Sequence, residues 1–176
     1  MNPSALILAV DTSTRSSVVA IGRETPLAVS RRDVRHRHGS HVLEQIDEVL
    51  ADAGASLGEV TDLAVGTGPG SFTGLRVGLA TVKTMAYARG LPLVGVMSTD
   101  ALRLAAGEPE AVVVLPAGAH DHYLARPGRD PELLAAGELP AAVGSGPVIA
   151  IDTDADVLGT DATARGAEAL EAMPAS

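Results

Sequence analysis

Cysteine is absent from the 176 residues, which removes disulfides, thiolate catalysis and thiolate zinc sites together. Tryptophan is absent too, and one Phe and two Tyr bring the aromatics to only 2%, so the core must be built from Val, Leu, Ile and Ala. Lysine occurs once, as Lys83, and the formal net charge is −9. Phosphate contacts need clustered Lys and Arg, so this balance argues against a stand-alone nucleic-acid binder. No apolar run approaches the roughly 18 residues of a membrane-spanning helix, and no basic-then-apolar leader pattern follows Met1. The expectation is a soluble cytoplasmic protein with no membrane partner. What is present, 46% hydrophobic and 20% charged residues, is the composition of a packed globular chain rather than a disordered one. The length suits one domain or two small lobes.

The most informative stretch is Gly66 to Gly90, GTGPGSFTGLRVGLATVKTMAYARG. A short apolar strand, Leu63 to Val65, runs into a loop containing Gly66, Gly68 and Gly70. A helix pattern then extends from about Thr73 to Arg89, with Ser71 and Thr73 as candidate N-caps and Gly90 at the stop. A strand, a glycine turn and a helix N-terminus can bind an anion, because free N–H groups converge there. The spacing is neither a Walker loop nor a regular dinucleotide fingerprint. A tight turn that simply needs glycine remains an equal alternative. Inside the helix, Gly74, Gly78 and Thr81 share one side, while Leu75, Leu79, Val82 and Ala86 make a second stripe. Glycine in a helix interior costs about 1 kcal/mol against alanine, so something must approach the backbone closely. The reading adopted is that the glycine side faces outward, toward a partner.

In chain order, Ala5 to Val10 is a continuous apolar run, expected as a strand buried on both faces. The turn Asp11-Thr12-Ser13-Thr14 follows, then strands at Val18 to Ile21 and Leu27 to Ser30 complete an antiparallel meander. Helix one begins at the N-cap Ser40, has Glu44 in its early turns, and carries a stripe of Val42, Ile46, Val49 and Ala53, with Leu43 and Leu50 beside it. Gly54 ends it. After the glycine stretch, Leu93 to Val96 forms a fifth strand. Arg31, Arg32, Arg35 and Arg37 cluster beside His36 and His38; a solvated edge strand or loop is preferred over a phosphate-binding patch. His36, His38 and His41 form HxHxxH, read as surface or structural residues rather than metal ligands.

Three strands, helix, strand, helix, strand is the core of the ribonuclease-H-like α/β fold, which appears twice in the actin-like ATPase (ASKHA) group. VDTST, HGSHVLEQID and VGTGPGSFTGLRVGLATVKTMAYARGLPLVGV resemble the bacterial TsaB family, also called YeaZ, from about Ala5 to Leu102. The resemblance implies a non-catalytic paralogue of TsaD. Such a subunit would pair with TsaD, and with the ATPase TsaE, in threonylcarbamoyl transfer to the N6 of adenosine beside the anticodon of tRNAs reading ANN codons. It would reach tRNA only through the complex and could form a homodimer when alone. TsaD-type chains carry His-x-x-x-His after strand five to hold a metal; Ser98 and Leu102 stand in those positions here. No catalytic or metal residue is therefore expected, and no cofactor in the isolated subunit, with ATP or ADP confined to an interface of the complex. A degenerate phosphate loop is expected at Asp11, Thr12, Ser13, Gly68, Gly70, Ser71 and Thr73. The partner surface is expected at Val42, Ile46, Val49, Gly74, Gly78, Thr81 and Met85, so that Gly78→Arg should abolish TsaD pairing and leave the fold intact.

The first lobe is read as residues 1–97 and a shortened second lobe as 98–176. In the latter, strands are expected at Val112 to Leu115, His122 to Ala125 and Val148 to Ile151, with loops over residues 127–147 around a weak helix at Glu132 to Ala136. A short Ala/Glu helix is expected from Thr163 to Met173. His120, Asp121 and His122 are read as exposed strand residues, and the lobe as having too few elements for a nucleotide cleft. The rivals are an ATP-dependent phosphotransferase of the same superfamily, a peptidase and a homodimeric interaction module. The first lacks an evident general base and an intact second phosphate loop. The second lacks a Ser–His–Asp order or a metal pair.

Overall fold

The structure is a computed structural model that describes residues 5–33, 41–153, 158 and 163–164. By its internal contacts the chain divides into two units. Among the described residues, one holds those up to Thr67 together with Phe72–Val96, the other Gly68–Ser71 and those from Met97 onward. The expected helix start at Ser40, and the cluster members Arg35, His36, Arg37 and His38, lie outside the described residues.

The first unit is a five-stranded sheet. Its strands are β1 (Ile7–Asp11), β2 (Ser16–Gly22), β3 (Pro26–Asp33), β4 (Asp62–Gly66) and β5 (Leu93–Val96), ordered β3-β2-β1-β4-β5. β1, β2 and β3 pair antiparallel, as the meander predicts, and β4 and β5 add in parallel. The helices α1 (His41–Asp52) and α2 (Phe72–Arg89) supply the two crossovers. Both cover the same sheet face, as right-handed crossovers require. Leu8, Val10, Val19, Ile21, Leu63 and Val65 of that face join Val42, Ile46, Val49 and Val82 in one aliphatic core. The apolar run of β1 is thus not buried equally on both faces: Leu8 and Val10 are buried, whereas Ile7 and Ala9 are half-buried.

The second unit repeats the topology. Helix α3 (Ser98–Ala106) leads into β6 (Val112–Ala117), β7 (Asp121–Ala125) and β8 (Glu132–Ala135); the short helix α4 (Leu139–Val143) follows, then β9 (Pro147–Ala150) and β10 (Thr163–Ala164). The order β10-β9-β6-β7-β8 is that of the first sheet, strand for strand, with β6 and β7 antiparallel and β6 and β9 parallel. The lobe is short in chain, yet its sheet has five strands among the described residues, more than the three expected from the sequence. Glu132 to Ala135 is a strand, not a helix, because its pairing with β7 sets Leu133 opposite Tyr123. Thr163 and Ala164 pair with β9 rather than opening a helix, and the rest of that expected helix lies outside the described residues. One sheet face packs Ala111, Val113, Leu115, Ala125 and Ile149 against Leu102 and Ala106 of α3. The other packs Val114, Leu124 and Val148 against Leu139 and Val143 of α4.

Candidate functional site: the first turn, the glycine loop and the helix pair

Asp-Thr-Ser-Thr is first of all turn chemistry. The Asp11 carboxylate accepts the Ser13 N–H at 2.7 Å, a side chain closing a turn two residues on. The Thr14 hydroxyl accepts the Ser16 N–H at 3.1 Å and donates to the Ser16 carbonyl at 3.0 Å. The Thr12 hydroxyl reaches α2 and donates to the Gly74 carbonyl at 2.7 Å. Ser13 is 2% exposed, and its Oγ has no partner among the described residues.

Thr12 explains the glycines of α2. A Cβ built on Gly78 would lie 2.3 Å from the Thr12 Oγ1, a distance no side chain tolerates. Gly78 is buried, and Gly74 presents its carbonyl to the same threonine. The side bearing Gly74 and Gly78 therefore faces the protein's own first turn. This reverses the orientation read from the sequence, and Gly78→Arg is expected to disturb the fold rather than leave it intact. Met85 is half-buried and packs against the core, and Thr81 is half-buried. Val42, Ile46 and Val49 are likewise corrected: they are 4%, 2% and 0% exposed, inside the core.

The outward side of α2 carries Arg76, Ala80, Lys83 and Tyr87 at helical spacing, with Phe72 and Thr73 at its start. Tyr87 is 93% exposed and Phe72 is 73% exposed, and the Arg76 guanidinium sits 5.5 Å from the Phe72 ring centre. Two of the three aromatic side chains of the whole protein thus face outward from one helix. Beside it, α1 exposes Leu43, at 59%, among Glu44, Asp47 and Glu48.

The inner side of α1 holds a polar pin that sequence reading missed. Gln45 is fully buried, and its amide donates to the Ser17 and Ser30 carbonyls, each at 3.2 Å. A Gln between Val42 and Ile46 was the available signal, since a polar residue on an apolar stripe must be satisfied where it is buried. At the rim, Arg32 bonds Glu44 at 2.9 Å and Glu48 at 3.0 Å, so this member of the arginine cluster is engaged by carboxylates. The Glu44 carboxyl is held below its ordinary range by His41 and then Arg32, and that of Glu48 by the Ser30 hydroxyl and then Arg32. His41 reaches Glu44 at 3.3 Å, so an acid does lie beside it; His36 and His38 lie outside the described residues.

In the second unit the glycine loop is tied to α3. The Gly68 N–H donates to the Ser98 Oγ at 3.1 Å, and the Ser98 N–H donates to the Gly68 carbonyl at 2.9 Å. Gly68 has φ of +92°, a left-handed value that suits glycine. Leu102, four residues on, packs against the sheet. The two positions read as lost metal ligands thus have structural work of their own. Asp11, Thr12, Ser13 and Thr73 belong to the first unit, and Gly68, Gly70 and Ser71 to the second.

Helix α3 is held by Arg103, a residue the sequence did not single out. It is 5% exposed, and its Nε and one Nη donate to the Ala111 and Ala125 carbonyls at 2.8 and 2.7 Å, while the other Nη pairs with Asp100 at 2.7 Å. His122 is buried, not exposed, with an Nδ1 that has no partner among the described residues; Asp121 and His120 are exposed.

The family model described as "TsaD: tRNA N6-adenosine threonylcarbamoyltransferase" matches residues 29–145. The "tRNA threonylcarbamoyladenosine biosynthesis protein TsaB" of Haemophilus influenzae is 38% identical over 105 residues, covering 58% of this chain and 43% of that protein. Its Escherichia coli counterpart is 34% identical over 90 residues, covering 51% and 39%. The chain therefore spans about two-fifths of the length of these relatives. The solved structure titled "YeaZ from Pseudomonas aeruginosa" superposes with a TM-score of 0.69 at 23% identity, over 84% of this chain and 75% of that one, which establishes the shared fold. With the duplicated sheet order, the match over residues 29–145 and the TsaB relatives together, the chain belongs to the TsaD family and, within it, with the TsaB (YeaZ) proteins.

Proposed function

We propose that this chain is a non-catalytic subunit in tRNA threonylcarbamoyladenosine biosynthesis that acts by pairing with a TsaD-like catalytic subunit. The observation that carries the reading is the outward face of α2. A chain with three aromatic residues exposes two of them, Phe72 and Tyr87, along one helix. Exposed aromatics beside an arginine are the residue types that dominate protein interfaces. The adjacent α1 adds Leu43. Two helices meeting two from a structurally related partner would bury on the order of 800 Å² on each side. The pairing surface is thus Leu43, Phe72, Arg76, Ala80, Lys83 and Tyr87, in place of the side inferred from the glycine pattern.

On this reading the chain contributes to threonylcarbamoyl transfer onto the N6 of adenosine beside the anticodon without holding the reacting groups. A TsaE-like ATPase joins the same complex, any ATP or ADP sits at an interface of that complex, and tRNA is reached only through it. The net charge of −9 disfavours tRNA binding by this subunit alone. The test is the mass of the complex in solution, measured for the chain alone, for a TsaD-like subunit alone and for their mixture. A one-to-one complex, lost on Tyr87→Asp with an unchanged melting curve, is expected. A homodimer that persists in the mixture, or no complex at all, would overturn the proposal.

A further inference from the structure

We propose that Ser98 is an internal ligand of the glycine loop, occupying with its hydroxyl an amide that an anion would otherwise need and so closing the loop. A glycine turn ahead of a helix binds anions through backbone N–H groups that have no other acceptor. Here the Gly68 N–H is directed into the Ser98 Oγ at 3.1 Å, and both residues are buried. The hydroxyl oxygen stands where an acceptor oxygen of an anion would stand relative to that amide. The preceding amide is engaged as well, since the Thr67 N–H donates to the Val96 carbonyl at 2.9 Å.

The contact is reciprocal, which distinguishes it from a chance side-chain contact. The Ser98 N–H returns to the Gly68 carbonyl at 2.9 Å, so donor and acceptor of one loop residue are both satisfied by one serine. Ser98 is itself 2% exposed and opens α3. That helix is held to its sheet by Arg103, through the Ala111 and Ala125 carbonyls. The hydroxyl is therefore presented by a rigid element and not by a mobile loop. A loop closed in this way keeps its shape without a ligand, which a phosphate loop ordered by its nucleotide does not. The inference stands apart from the pairing proposed above, because it concerns the isolated chain.

Backbone amide exchange in the full chain, followed residue by residue by NMR, tests the inference. In Ser98→Ala the exchange of Gly68 should accelerate by roughly tenfold, the effect of losing one hydrogen bond, while the amides of Leu63 and Leu115 keep their rates. A packing role alone would speed exchange across the second sheet and leave Gly68 no faster than its neighbours, and that result would overturn the assignment. Inorganic phosphate added to each protein gives the second readout. The Gly68 amide resonance should stay fixed in the wild type and move in the variant; movement in both, or in neither, would refute the closing of the loop. If Ser98→Ala fails to fold, Ser98→Cys takes its place, since it keeps the volume and offers a poor acceptor.

Discussion

Gly78→Ala is the most informative substitution in this protein, because two readings of α2 predict opposite signs. On an outward helix face the change would stabilise by about 1 kcal/mol, the propensity difference between the two residues. In the structure the new methyl would lie 2.3 Å from the Thr12 Oγ1. Thr12 is 7% exposed and β-branched, and its hydroxyl is bound to the Gly74 carbonyl at 2.7 Å, so it cannot swing aside without leaving that carbonyl. Overpacking of this kind costs about 1–3 kcal/mol, and the lost buried hydrogen bond about 1 kcal/mol more. The propensity gain offsets about one of these, leaving a net loss of about 1–3 kcal/mol. For a chain of this length the melting temperature should fall by roughly 3 to 10 °C. A double-mutant cycle with Thr12→Ala isolates the cause. On that background the obstructing oxygen is gone, and Gly78→Ala should be neutral or stabilising. Thermal melts of the four proteins decide it. A stabilising Gly78→Ala in the wild type, or an equal effect on both backgrounds, would refute the inward assignment.

Arg103→Met should destabilise by about 2–4 kcal/mol in urea titrations, because it strands the Ala111 and Ala125 carbonyls in the core. Asp100→Ala should change the midpoint little, since Asp100 is 63% exposed and such a pair contributes little. Gln45→Leu should cost about 1–3 kcal/mol in the same assay by leaving the Ser17 and Ser30 carbonyls without their donor. The Glu44 and Glu48 carboxyls have lowered folded pKa values. Their contribution to stability is therefore present above the ordinary carboxylate range and lost as pH falls through the folded values. Glu48→Gln should flatten the acid limb of the stability profile, and an unchanged limb would show that these carboxylates do not report on folding.

The sequence alone was enough to determine the element types and order of the first unit. Its signals are local: an aliphatic run in Ile7 to Val10, turn residues at Asp11 to Thr14, an apolar stripe from Val42 to Leu50, and a glycine loop before a long helix. Each of these depends on spacing along the chain, which the backbone converts directly into strand or helix. The resemblance carried by VDTST and GPGSFTGLR led to the family for the same reason, since those runs are contiguous.

Tertiary structure decided which side of each helix faces inward. Gly74 and Gly78 declare that something comes close to α2, but the identity of that neighbour, Thr12, lies 62 residues away from Gly74 in the chain. A bare helix side looks the same from the sequence whether a partner or the protein's own first turn fills it. The strand Glu132–Ala135 has the same character, because a four-residue segment takes its conformation from its pairing with β7. The duplicate sheet order became visible only through such pairings. Gln45 and Arg103 escaped notice, and the bond Ser98 makes to Gly68 went unread, for a related reason. A polar residue acquires a role from the acceptors and donors that the fold brings to it, and those of Ser98 are 30 residues away in the chain.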